Sequence, residues 1–344
     1  MTGKQHRSAI TPAASKNRDT EKCRYVPEGA LRSFGDIHTR NRAYLERAAA
    51  DGSILESQCI MCDCSNMQLP VDLPDGICGI IPKSEVCAQP QGGDIKDIAV
   101  ITRVGKPVQF KITEIRGNTA ILSRRAAQQE CYDEYISTLI PGDIIPARIT
   151  HLEPFGAFCD IGCGLVSLLT VDKISVSRIS HPADRFSSGE YIDAVVSSVE
   201  DSGRIYLSHR ELLGTWEENA AYFSAGQTVT GIIRSVEDYG VFVELTPNLA
   251  GLAEPFPGAV PGDRCSVYIK SILPERMKIK LVMIDTCGPA GSEPCRYFTD
   301  ESVTHMDRWI YSPDGCRKVV ESVFSPSDCD NGEVLRSGRI SEMV

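Results

Sequence analysis

Two short segments place aromatic side chains three residues apart across a glycine: Phe155-Gly156-Ala157-Phe158 and Tyr239-Gly240-Val241-Phe242. An exposed aromatic face does its chemistry without a catalyst. It stacks a nucleobase, worth roughly 1–3 kcal/mol per base. Aromatics beside a glycine also serve as core, but Ile, Val and Leu at alternating positions already supply an interior here. The doublets are therefore read as outward platforms. Arg204 and Lys278 stand at matching positions downstream, where a cation meets phosphate. Arg178, His181 and Arg185 form a further small basic group that is a candidate for the nucleic-acid backbone.

Other chemistries lack their residues. There is no Walker motif, no GxGxxG and no HExxH. Asp160-Ile161-Gly162-Cys163-Gly164 is glycine-rich, but it runs from strand to strand and opens no helix N-terminus for phosphate. The six histidines have no metal spacing, and Glu200-Asp201 reads as turn chemistry rather than a metal pair. Cys59, Cys62 and Cys64 are close in sequence but lack the second ligand pair of a zinc site. They read as small buried thiols. The expectation is a protein without catalytic residues, metal, cofactor or small-molecule substrate.

The elements that position the aromatics repeat. Residues 142–168 align without a gap on 226–252 at an offset of 84, with seven identities. The alignment resumes at Gly189 over Gly262 at an offset of 73, so the second of these copies lacks 11 residues after Leu252. Each copy reads as five strands, with Ile145, Ala147 and Ile149 alternating on one face of the first. Short strands with a glycine at the bend fit a small Greek-key barrel that binds oligonucleotides on its second and third strands. A weaker copy lies upstream: Asp72–Ile77 and Ala120–Arg125 mirror the later pattern. Its bend, Asn66-Met67-Gln68-Leu69-Pro70, has no aromatic. The expected fold is all-β: three tandem five-stranded OB-fold barrels at 51–125, 141–210 and 225–285, joined by short helices, with disordered termini. Ala127, Cys131, Tyr135 and Leu139 mark one helical connector. Leu212, Leu213, Trp216, Ala220 and Phe223, with the capping-box pair Thr215 and Glu218, mark another. Trp216 is read as packing rather than base-stacking. A helix is expected within 38–50, and Tyr297, Phe298, Trp309, Ile310 and Tyr311 form an aromatic group in an extension at 286–344.

Charge sets limits on the mode of binding. The 344 residues hold 36 Lys and Arg against 46 Asp and Glu, a net charge of −10. Binding by a basic surface alone is thus excluded. Residues 1–50 are the exception, with 10 basic against 5 acidic residues, a basic and partly disordered arm. No run of about 18 apolar residues spans a membrane, and Met1–Glu21 has no apolar signal core. The 14 cysteines then read as reduced thiols of a cytoplasmic protein.

With these motifs in place the chain resembles a known family. GAFCDIGCG, GRIYLSHR and YGVFVEL resemble the RNA-binding repeat of the largest small-subunit ribosomal protein, ribosomal protein S-one. ICGIIPKSE, AILSRRA, SVSRISHPADRF, LLGTWEEN and PNLAGLAE look like a short, three-repeat bacterial version. The resemblance implies single-stranded RNA binding and delivery of messenger RNA to the small ribosomal subunit. It places the family's stacking pair on Phe155 and Phe158 and again on Tyr239 and Phe242. The family's strand-three histidine falls on Ser167 and on Gly251, both departures; Ser167 keeps a hydroxyl donor. The acidic residue before the last turn falls on Glu200 and, in the last copy, on Leu273. By analogy the first copy is a docking module. Two other readings stand beside this one: an RNA-binding regulator of turnover or stress acting off the ribosome, and a protein scaffold with weakened RNA binding.

Overall fold

The computed structural model describes residues 25–31, 37–63, 65–88, 95–291 and 295–324. The two ends expected to be disordered, and most of the basic arm, lie outside the described residues, as does Cys64.

The first repeat is a five-stranded sheet of β1 (Leu55–Gln58), β2 (Leu69–Asp72), β3 (Cys78–Ile81), β4 (Pro107–Arg116) and β5 (Thr119–Ser123), in the order β1-β4-β5-β3-β2. A bridge between Cys59 and Val71 joins its two edges. The second repeat is a closed barrel of β6 (Ile144–Glu153), β7 (Gly156–Asp160), β8 (Val166–Thr170), β9 (Tyr191–Val199) and β10 (Ile205–Ser208). The third is a closed barrel of β11 (Thr228–Glu237), β12 (Gly240–Thr246), β13 (Leu249–Ala253), β14 (Asp263–Leu273) and β15 (Lys278–Pro289). The strand ring has the same order in all three, and in each the third strand runs parallel to the fifth.

Alternation explains the barrels. Ile145, Ala147 and Ile149 are buried in the core of the second, as are Ile233, Val241 and Val243 in the third. A bulge after Ile149, Ile233 and Ile112 bends the long first or fourth strand around each core. Gly156 and Gly240 are required where the hairpin closes on the third strand. A Cβ there would stand 2.5 Å from the Leu169 carbonyl and 2.4 Å from that of Ala253.

The helices are short and capped. α1 (Arg42–Asp51) is started by the Asn41 side chain, which accepts from the Tyr44 N–H. α2 (Asp97–Ile101) precedes β4. α3 (Arg124–Glu134) starts on Ser123 and buries Ala127 and Cys131, as the four-residue spacing predicts. The α-helix ends at Glu134, however, and a 3₁₀ turn (Ile136–Thr138) carries the chain to buried Leu139. α4 (Trp216–Ala220) has the expected capping box between Thr215 and Glu218, and Trp216 is buried against the third barrel.

The C-terminal extension folds back on both barrels. Its hairpin, β16 (Arg308–Ile310) with β17 (Glu321–Val323), puts Trp309 and Tyr311 into the core of the third barrel. Phe324 packs on Ile144, Val195 and Leu212 of the second repeat and its connector. Tyr297 donates toward buried His209 at 3.2 Å and accepts from the Asp193 N–H at 3.1 Å.

Candidate nucleic-acid interface

The two aromatic doublets have one geometry. Phe155 sits in the β6–β7 turn and is 55% exposed, and Tyr239 in the β11–β12 turn is 67% exposed. Phe158 and Phe242 are half-buried on the strands that follow. The rings meet edge to face, at 6.0 Å and 88° for Phe155 with Phe158 and 6.2 Å and 89° for Tyr239 with Phe242. The turn ring therefore leaves its face open to a base while its partner fixes its angle.

Strand register extends each platform into a row. In the second barrel His151 lies opposite Phe158, Phe158 opposite Leu168, and Leu168 beside Tyr206. The His151 ring stacks on Phe158 at 6.4 Å and 22°. In the third barrel the same row is Ser235, Phe242, Leu252 and Lys280. His151, Tyr206 and Lys280 thus join the surface, although inspection of motifs passes over them. The period-two count from Phe158 and Phe242, carried across the ladder, is the signal that finds them. Arg204 and Lys278 are exposed, each two residues ahead of the row at Tyr206 and Lys280. In the first sheet the row is Pro70, Ile80 and Ile121, with no aromatic ring.

Ser167 takes another place. It is 3% exposed, faces inward, and donates its hydroxyl to the Ile205 carbonyl at 2.6 Å. That donor is spent inside the barrel. Gly251 also faces inward, where a Cβ would meet Leu281 Cδ1 at 2.6 Å.

The structure does not bring Arg178, His181 and Arg185 together as a basic patch. Arg178 is exposed. His181 caps a 3₁₀ turn, its Nδ1 accepting from the Ala183 N–H at 3.1 Å. Arg185 is buried and donates to Glu244 of the third barrel at 2.8 and 2.9 Å. Arg234 donates to the same carboxylate at 2.8 and 3.0 Å. Burial alone would raise the Glu244 carboxyl, but the bonds from Arg185 and Arg234 hold it below the usual carboxylate range. The surrounding loop docks too: Val176 N–H donates to Asn248 at 3.0 Å and Ser177 N–H to the Pro247 carbonyl at 3.1 Å. The loop missing from the third repeat is thus the one by which the second repeat holds the third.

Among the described residues no group of three His, Cys, Asp or Glu side chains gathers to hold a metal. Cys59 is buried, and burial pushes its thiol up to about 11, leaving it protonated. No helix of the described residues is long and apolar enough to cross a membrane.

Comparison with known proteins agrees with the motifs. The family profile described as S1 RNA binding domain matches residues 138–210, the second barrel with the residues leading into it. The chain is 31% identical over 206 residues to small ribosomal subunit protein bS1 of Staphylococcus haemolyticus, covering 54% of this chain and 52% of that protein. It is 28% identical over 261 residues to bS1 of Staphylococcus aureus, covering 70% of this chain and 64% of that protein. The chain thus spans between half and two thirds of the length of these two relatives. A crystal structure of a multidomain protein with nucleic acid binding domains from Streptococcus pneumoniae shares 15% identity at a TM-score of 0.24, covering 68% of this chain and 74% of that one. The resemblance to the ribosomal protein S-one family holds.

Proposed function

We propose that this chain is a single-stranded RNA-binding protein of translation, which holds messenger RNA and associates with the small ribosomal subunit in the cytoplasm. One observation carries the reading: the same exposed edge-to-face aromatic pair recurs at the same register in two barrels. Bases stack on Phe155 and Phe158, and on Tyr239 and Phe242. Arg204, Lys278 and Lys280 meet the phosphates beside them, with Arg178 and His181 at the margin. The second barrel is the stronger binder, because His151 and Tyr206 widen its platform. The first repeat, whose equivalent row is aliphatic, docks to the ribosome rather than stacking bases.

Anisotropy with a labelled twelve-nucleotide uridine- or adenine-rich RNA tests binding, with duplex RNA and single-stranded DNA beside it. Single-stranded RNA is expected to bind at physiological salt and duplex RNA not to compete. Co-sedimentation from lysate in moderate salt tests the ribosomal half: the chain is expected with small subunits, and a chain lacking the first repeat is expected to leave them. Absence of the intact chain from the subunit fraction, with RNA binding retained, would place it off the ribosome.

A further inference from the structure

Where the first and second repeats meet, a cleft of about 210 Å³ opens, and a second of about 250 Å³ adjoins it; both are walled by Arg103, Gly164 and Val166. Lys106 and Arg148 add cations to the first cleft and Arg124 to the second. Glu28 and Asp160 also line the first cleft, and both carboxylates are already engaged. Glu28 accepts from Arg124 at 2.6 and 3.0 Å and meets Arg103 at 3.6 Å. Asp160 accepts from the N–H groups of Glu28, Gly162 and Gly164 at 2.8, 2.9 and 3.0 Å. Lys106 is exposed, and no carboxylate among the described residues lies within salt-bridge distance of it. Partial burial, then the charges of Arg103 and Arg148, lower its ammonium below the ordinary range, with the Glu28 charge acting the other way.

The cleft is continuous with the aromatic row. Asp160 pairs with Val166, and two residues along the same ladder Phe158 pairs with Leu168. At ~3.3 Å per residue the cleft wall begins roughly 7 Å from the platform. The third barrel shows the same junction in a closed form. There Glu244 occupies the position of Asp160, while Ile232 stands where Arg148 does; Arg234, at the position of Thr150, and Arg185 of the second repeat both pair with Glu244.

We propose that this cleft is a phosphate-backbone site, in which an RNA strand stacked on Phe155 and Phe158 continues over Val166 and lays its phosphates against Lys106, Arg103 and Arg148. The first repeat then contributes charge to the RNA path although it has no base-stacking face. The proposal rests on the RNA-binding reading above.

The test uses the full chain and uridine oligomers of four and twelve nucleotides, with affinities measured over a salt series. Lys106→Gln, and Arg103→Gln with Lys106→Gln, are expected to leave the four-mer within about twofold of wild type while weakening the twelve-mer several-fold, and to flatten the twelve-mer's salt slope by about 0.7 per cation removed. Four-mer binding also reports that each variant is folded. Phe155→Ala with Phe158→Ala is expected to weaken both lengths. A wild-type slope and wild-type twelve-mer affinity in the double variant overturn the proposal while leaving RNA binding intact. Failure of the wild-type chain to bind either oligomer removes the RNA reading and the cleft with it.

Discussion

Phe155 and Tyr239 were legible from residue type because a large ring beside a turn glycine has little to pack on. His151 was not. Its neighbour in space, Phe158, is seven positions away in sequence, and only the bulge after Ile149 brings it opposite that ring. Ser167 turned out to face inward for a simpler reason: it adjoins Leu168 of the outward row, and neighbours on a strand point to opposite faces. The row assigns His151 a supporting role in base stacking. His151→Ala is therefore expected to weaken binding of single-stranded RNA less than Phe158→Ala does, by about 1 kcal/mol or a factor of about five. Anisotropy on the same RNA distinguishes them; an effect of His151→Ala equal to that of Phe158→Ala would contradict the supporting role of the histidine.

At the scale of elements, the strands followed from alternation and the connectors from their caps, since both are local signals. The docking of the Val171–Ser188 loop was hidden, because Arg185 finds its partner Glu244 59 residues later. A buried arginine looks like a surface cation until its carboxylate is known. Glu244→Ala leaves two guanidinium groups buried without an anion and is expected to destabilise the pair of barrels by about 3–5 kcal/mol in chemical denaturation. Because the Glu244 carboxyl is held below its unfolded value, its stabilisation is present at neutral pH and lost as pH falls through the folded value. A Glu244→Ala chain of wild-type stability would show that the loop and the C-terminal hairpin alone hold the barrels.

In the whole molecule, three five-stranded repeats of one strand order were readable from the internal repeat, whereas the polar junction between the first two was not. Glu28, Glu56, Gln109, Arg124 and Asp160 come together there from five separate parts of the chain. Burial raises the Glu56 carboxyl to about 7 and, with the charge of Glu28, the Asp160 carboxyl to about 7. Both are ionised in the unfolded chain above about pH 4.5. Between that pH and about 7 the folded chain holds the extra protons, so its stability declines as pH rises through this window. Urea midpoints are expected to fall from pH 5 to pH 8, and Glu56→Gln is expected to lessen the fall; an unchanged slope in that variant would mean that Glu56 stays ionised in the fold. The net charge of −10 still excludes binding by a basic surface alone, and the proposed rows carry aromatics and a few cations instead.

The central claim is that paired aromatics on two barrels hold single-stranded RNA, the second barrel more tightly than the third. The most direct measurement compares Phe155→Ala with Phe158→Ala against Tyr239→Ala with Phe242→Ala by anisotropy on one twelve-nucleotide RNA. The first pair is expected to cost at least about 2 kcal/mol, a loss of roughly thirtyfold or more, and the second pair less. No loss from either pair would contradict the account, and equal losses would contradict its ranking of the two barrels.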